Sequence, residues 1–476
     1  MDKIENQDEN RTMTKFDKIF IFFLTILFIN PVIPYIFSLL ILVTGTILFY
    51  YNRPYQFIYA MVFLFSFSVL VRWSSPNSPI SALFRSIIIF LSIVTLLLYN
   101  MLKRTNILSS AKKELFIIDG LCIFWILFTI LLLLIQPNSM YMRFMGFREY
   151  AVFFFFFIIY CHALQKGIDK LACLKMLFYS IGIVAGFNLL FNFNILSFPL
   201  FTPYEEQDIL GNIRVVAGMP ILRMRTLLGG SQGGTALVYT LALLGFWILP
   251  FGKIIKWIFI PILFASIICL ISFSSIFVFS SFLIIWGLFT FGIKFKKLIF
   301  PIALFLIVLT LIFSHHITIG VDGGNSLSAY DYVSEHVSRR MKVLVNWDER
   351  FFIGSGFDIK TSENPDAQRM ISRDNGILNA FISHGIIGLL LVVFFYLYGF
   401  YRIYIKVKTP YLNQLDKKIY IMVSTMFLSS CFFAHGLPLT SKPLDLIVFI
   451  SAGILFNRTI NSNYGKTFDI CNNSCL

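Results

Sequence analysis

Charge is scarce in this chain. Asp, Glu, Lys and Arg make up 13% of its 476 residues, about half the share of a soluble domain. Cysteine is sparse where a disulfide would matter. The seven cysteines (122, 161, 173, 269, 431, 471, 475) avoid the two longest polar segments, and no Cys-x-x-Cys occurs. Neither a disulfide framework nor a structural zinc site is therefore expected. Asp-x-Asp is absent, and no carboxylate or cysteine cluster accompanies His315, His316 and Asp322. The expected chemistry uses neither metal nor cofactor. No small-residue cleavage site follows the first apolar run, so an uncleaved start is expected rather than a signal peptide.

Apolar sequence is abundant. Hydrophobic residues reach 58%, the mean hydropathy is +0.80, and there are 56 Phe, five of them consecutive from Phe153 to Phe157. No soluble core needs so much continuous apolar sequence. Runs long enough to span a bilayer fall near 17–30, 33–51, 55–71, 80–101, 115–136, 149–165, 171–194, 229–249, 254–271, 274–292, 298–314, 377–400, 418–434 and 443–457. The expectation is an all-α integral membrane protein of about 12–14 transmembrane helices. Residues 1–476 form one polytopic domain. Two long polar segments interrupt it, 195–228 and 315–376, and the larger is expected to contain short helices.

A net charge of +15 would suggest nucleic acid in a soluble protein. Here lysine clusters orient the spans, and no nucleic-acid partner is expected. With both termini in the cytoplasm, the inner segments hold 18 Lys and 5 Arg, and the outer ones 11 Arg and 3 Lys. Both long segments then lie outside. Orientation needs charge of either kind, whereas planar guanidinium is favoured where phosphate or carboxylate must be gripped. The outer face is read as built for anions.

In the first long segment, Arg214, Arg223 and Arg225 precede Gly229-Gly230-Ser231-Gln232-Gly233-Gly234 at the mouth of a helix. Glycines admit close backbone approach, and a helix N-terminus favours anions. The same glycines also permit tight helix packing in lipid. In the larger segment, Tyr330, Val333, Val337, Met341 and Leu344 recur at helical spacing over 328–345. Glu335 and Arg339 form an i,i+4 pair there, which leaves Arg340 as the better ligand. Gly354-x-Gly356 reads as a turn. Arg373-Asp374-Asn375-Gly376 then enters a span, where Asp374 can cap the helix or handle a proton and Asn375 can orient a sugar hydroxyl. His384 sits within the apolar run that follows, as a functional group or as a hydrogen-bond link to a neighbouring helix. Arg85, near the outer end of its span, can snorkel outward.

Arg225-x-x-x-Gly229, Gly354-x-Gly356, Asp374-Asn375-Gly376-Ile377-Leu378 and Gly385-Ile386-Ile387-Gly388 together resemble the bacterial O-antigen polymerase family, within the wider polymerase/ligase superfamily. Ligases of that superfamily typically show His-Asn where this chain has Asp374-Asn375, which favours a polymerase. The resemblance implies a glycosyltransferase on the outer face of the bacterial inner membrane, in O-antigen or capsule synthesis. It joins polyprenyl-pyrophosphate-linked repeat units, with a chain-length regulator and a flippase as partners. On that reading Arg223, Arg225, Arg340 and Arg373 bind pyrophosphate, Asn375 binds sugar, and Asp374 or His384 serves as base. The alternatives are an O-antigen ligase and a lipid-linked oligosaccharide flippase.

Overall fold

The computed structural model describes residues 113–135, 169–193, 195, 213–216, 219–222, 232–270, 272, 274–292, 317–320, 326–328, 352, 354, 376–409, 412–432 and 443–456. Among these, helices dominate: α1 (Lys113–Ile135), α2 (Lys170–Asn192), α3 (Gln232–Ile248), α4 (Lys253–Leu270), α5 (Ser274–Phe291), α6 (Gly376–Lys408), α7 (Gln414–Phe432) and α8 (Pro443–Phe456). Each coincides with an apolar run in the sequence, and the long run 254–292 divides between Leu270 and Ser274 as expected. Lys170–Leu190, Lys253–Leu270, Ser274–Phe291 and His384–Lys408 are long and apolar enough to cross a membrane. The other expected spans, 17–30, 33–51, 55–71, 80–101, 149–165 and 298–314, lie outside the described residues, as does nearly all of the helix expected over 328–345.

Helix α3 is the hub. Its side chains from Thr235 to Phe246 are buried, and it packs against α2, α4, α5 and α7. In lipid the hydrophobic effect does not drive helices together, so close packing and interhelical hydrogen bonds must. Both occur. A Cβ on Gly245 of α3 would strike the Phe178 ring of α2, one on Gly182 of α2 the Phe259 ring of α4, and one on Gly399 of α6 the Phe427 ring of α7. Phenylalanine knobs thus fill glycine hollows. Thr240 Oγ1 donates to Ser275 Oγ at 2.9 Å, joining α3 to α5. The outward side of α4 is apolar, with Trp257 80% and Ile254 76% exposed. Such a surface suits lipid and would be a liability in water.

Helix ends meet in two groups. At one end, Lys256 at the start of α4 donates to the Trp247 carbonyl at the finish of α3, 2.9 Å away. Arg402 near the end of α6 donates to the Leu455 and Phe456 carbonyls at the end of α8, from Nε at 3.3 Å and Nη2 at 3.2 Å. Lys170, at the start of α2, and Lys406 both lie over the ring of Tyr420 in α7. These are the ends that sequence charge groups on the lysine-rich side. At the other end, Ser274, opening α5, donates from Oγ to the Gly233 carbonyl, in the first turn of α3, at 2.6 Å.

Two features depart from the sequence expectation. Helix α6 continues past residue 400 to Lys408, because Arg402 and Lys406 are drawn into the protein by α8 and α7 rather than left in water. A small antiparallel sheet also occurs within the polar segments. It comprises β1 (Ile213–Val216), β2 (Met219–Leu222), β3 (Ile317–Gly320) and β4 (Ser326–Ser328), in the order β2-β1-β3-β4. The runs Ile213-Arg214-Val215-Val216 and Ile317-Thr318-Ile319 have the β-branched character of strands. Ala217-Gly218 and Val321-Asp322-Gly323-Gly324-Asn325 supply residues suited to the links between them.

Candidate functional site

The two long polar segments are hydrogen-bonded to each other. β1 comes from the first and β3 from the second, and they pair antiparallel with Arg214 opposite Ile319, Val215 opposite Thr318 and Val216 opposite Ile317. Main-chain pairing of this kind requires strands about 4.8 Å apart, so the segments share one side of the bundle. Arg214 lies in β1, one of the two inner strands of the sheet.

The larger segment touches the helices at a break in α6. Gly385 has φ 66° and ψ −160° inside an otherwise helical run. That conformation is essentially restricted to glycine. Vacant space at Gly385 is also required. A Cβ there would lie 2.7 Å from the Gly354 nitrogen and nearer still to the Phe352 carbonyl. The Phe352 carbonyl and the Gly354 nitrogen are therefore seated on the break. Gly354 itself has φ 79°, which turns the chain at the contact. The Phe352 side chain stays 64% exposed.

His384 adjoins this contact and is fully buried. Its Nε2 is hydrogen-bonded to Thr129 Oγ1 of α1 at 3.3 Å. The Trp125 ring is 4.3 Å from the imidazole, centroid to centroid, and tilted 32° to it; Phe128 is 6.1 Å away. Of the two roles open to His384 in the sequence, a link between neighbouring helices is the one seen. The stretch His384–Lys408 has 25 residues and can span a membrane by itself, about 37 Å at 1.5 Å per residue.

The glycine-rich opening of α3 admits close packing: Gly234 is buried, and the Gly233 carbonyl accepts the Ser274 hydroxyl. Arg223, Arg225, Arg340, Arg373, Asp374 and Asn375 lie outside the described residues. The structure thus brings together His384, Gly385 and Gly354 from the sequence-derived set, and adds Thr129, Trp125 and Phe352. Thr129 and Trp125 are four residues apart on one face of an apolar helix, which gave no sign of them. A glycine directly after a buried histidine was the available hint for the break. Arg402 and Lys406 were counted only as orienting charge. No known family model, curated protein sequence or solved structure matches the chain.

Proposed function

We propose that this chain is a membrane-embedded polysaccharide polymerase that joins oligosaccharide repeat units carried on polyprenyl pyrophosphate. The observation that carries the reading is the seating of Phe352 to Gly354 on Gly385. It ties the larger polar segment, which bears Arg340 and Arg373 in its sequence, to helix α6. The β1–β3 pairing brings the other arginine-bearing segment to the same side.

In the proposed reaction a hydroxyl at the non-reducing end of the acceptor unit attacks the anomeric carbon of the donor chain. The bond from that carbon to the diphosphate oxygen breaks. The hydroxyl proton passes to a carboxylate, and polyprenyl pyrophosphate leaves. Charge grows on the phosphate oxygens, so fixed guanidinium donors stabilise the transition state; one such donor is worth on the order of 10²–10³ in rate. Arg225 with Arg340 or Arg373 is the proposed clamp, and Arg223 stands beside it in sequence. Asp374, two residues before α6, takes the proton, and Asn375 orients the sugar. His384 is enclosed by Trp125 and tied to Thr129, so its proposed part is to hold α1 against the break.

One observation bears on the transporter alternative. A broken helix is a transporter feature, but such breaks sit near the bilayer midplane. The arginines proposed for the chemistry lie in the two long polar segments rather than within the apolar runs, which suits chemistry at the surface.

The test is incubation of the purified protein in vesicles with lipid-linked repeat units. Extension of the glycan on its carrier supports polymerisation. Movement of unaltered units across the vesicle would identify a transporter. Polymer transfer to a lipid core acceptor, with no extension, would identify a ligase.

A further inference from the structure

The lysine-rich end of the bundle carries a cluster that membrane orientation does not require. Orienting charge acts from water beside the membrane. Arg402 and Lys406, however, are only 3% and 1% exposed. Burying a cation carries a desolvation cost, and exposed lysines would orient the chain without it.

The cluster is organised around one ring. Lys406 Nζ is 4.7 Å from the Tyr420 centroid, and Lys170 Nζ is 5.7 Å from the same centroid. Arg402, one turn back from Lys406 on α6, adds a third positive charge within electrostatic reach of Lys406, as does Lys170. Asp416 acts on Lys406 and Lys170 from the opposite sign, and Asp169 on Lys170. Three basic side chains thus face two carboxylates. Both carboxylates stand at helix N-termini, which bring positive potential of their own. Asp169 Oδ1 accepts from the Leu171 amide at 2.9 Å, at the start of α2. Asn413 Oδ1 accepts from the Asp416 amide at 2.7 Å, at the start of α7.

Lys170 is the partly exposed member, so an anion arriving from outside meets it first. Lys406 stands behind it across the ring. The Arg402 guanidinium, engaged by the α8 carbonyls, contributes field rather than contact. The level of this cluster relative to lipid can be read from α4, which packs against α2. Its first turns expose Trp257 beside Lys256, and exposed tryptophan favours the head-group layer. Basic pockets between membrane helices at such a level suit anionic lipid head groups.

We propose that Lys170, backed by Tyr420 and Lys406, seats the phosphate of an anionic phospholipid in the leaflet on the lysine-rich side. The site is independent of the proposed glycosyl transfer, which is placed at the opposite end of the helices.

The test uses the full chain in nanodiscs of phosphatidylcholine, with and without added phosphatidylglycerol. A ligand that binds only the folded state raises the unfolding midpoint. The midpoint should rise with phosphatidylglycerol by several degrees. Lys170→Gln should lose that increment, read against the variant's own midpoint in pure phosphatidylcholine. Lys408→Gln, which removes an exposed cation at the same end, should keep the increment. An equal loss in Lys408→Gln would reduce the effect to general surface charge and overturn the site. Inorganic phosphate that reproduced the increment in phosphatidylcholine discs would assign the seat to a soluble anion and overturn the lipid. Native mass spectrometry of the unaltered protein from mixed discs gives a readout that needs no variant. Retention of phosphatidylglycerol over phosphatidylcholine is expected, and equal retention overturns the proposal.

Discussion

The main-chain nitrogen of Gly354 lies 2.7 Å from the point a Cβ on Gly385 would occupy. Backbone cannot swing aside as a side chain can. A residue with φ 66° and ψ −160° also costs about 1–3 kcal/mol when it is not glycine. Gly385→Ala should therefore lower the unfolding midpoint and release the Phe352–Gly354 segment to added protease. Gly120→Ala on α1 is the matched control, since a Cβ there meets nothing within 4 Å. The close contact is refuted if the two variants behave alike in both assays.

Thr129 and His384 join α1 to α6 through one hydrogen bond inside the protein. Thr129→Val keeps the shape and removes the hydroxyl. Removing one partner of a buried hydrogen bond costs about 1–3 kcal/mol, so a clear fall in thermal stability is expected. Thr129→Ser keeps the hydroxyl and should retain most of it. A valine variant as stable as the parent would mean that the imidazole is held by other contacts.

The helices were legible because bilayer thickness and backbone hydrogen bonding leave an apolar run few other structures. The division of the run 254–292 into α4 and α5 also agrees with the spans expected at 254–271 and 274–292. The break at Gly385 was not legible, since an apolar run does not reveal where its helix stops being straight. What decides it is a distant segment, Phe352 to Gly354, that needs the space. The sheet was hidden for a similar reason. Four residues such as Ile213 to Val216 become a strand only by pairing with Ile317 to Gly320, a hundred positions away, and periodicity over so short a run is weak. Arg402 and Lys406 looked like orienting charge because sequence gives number and side, but not burial. For the proposed site, the sequence offered residue types at both ends of the contact without showing that Gly354 and Gly385 meet.

The pairing of β1 with β3 makes a geometric prediction. Directly opposed residues in an antiparallel pair have Cα atoms about 4.5–5.5 Å apart, within the range of about 4.4–6.8 Å that a disulfide spans. In a chain stripped of its native cysteines, Val215→Cys with Thr318→Cys should cross-link on mild oxidation. Val215→Cys with Ile317→Cys, one residue out of register, should cross-link far less. Mobility on a non-reducing gel after cleavage between the segments reads the result. Equal yields would contradict the register, and no cross-link in either pair would separate the segments altogether.

Arg402 holds the end of α8 through two carbonyls. Hydrogen bonds from a charged group contribute about 1.5–3 kcal/mol, and the planar fork of guanidinium is what lets one side chain reach both. Arg402→Gln should lower stability markedly. Arg402→Lys should rescue only part of the loss, because a point charge lacks that fork. Unfolding midpoints of the two variants decide this, and full rescue by lysine would show that charge alone matters.

The proposed clamp stands or falls on sidedness and on rate together. Arg225 and Arg373 must face the compartment opposite Lys103 and Lys417 if they grip a diphosphate released at the outer surface. Single cysteines at those four positions, labelled in intact cells by an impermeant maleimide, should report Arg225→Cys and Arg373→Cys as accessible and the two lysine positions as protected. Arg225→Ala should then cut polymer formation on the order of 10²–10³-fold at unchanged protein level. Arg225→Lys should recover little, because phosphate recognition through a bidentate fork does not transfer to an ammonium group. Labelling of all four positions from the same side would remove the clamp whatever the rates show. Correct sidedness with undiminished polymer would leave Arg225 outside the reaction and the anion-binding role with Arg340 and Arg373.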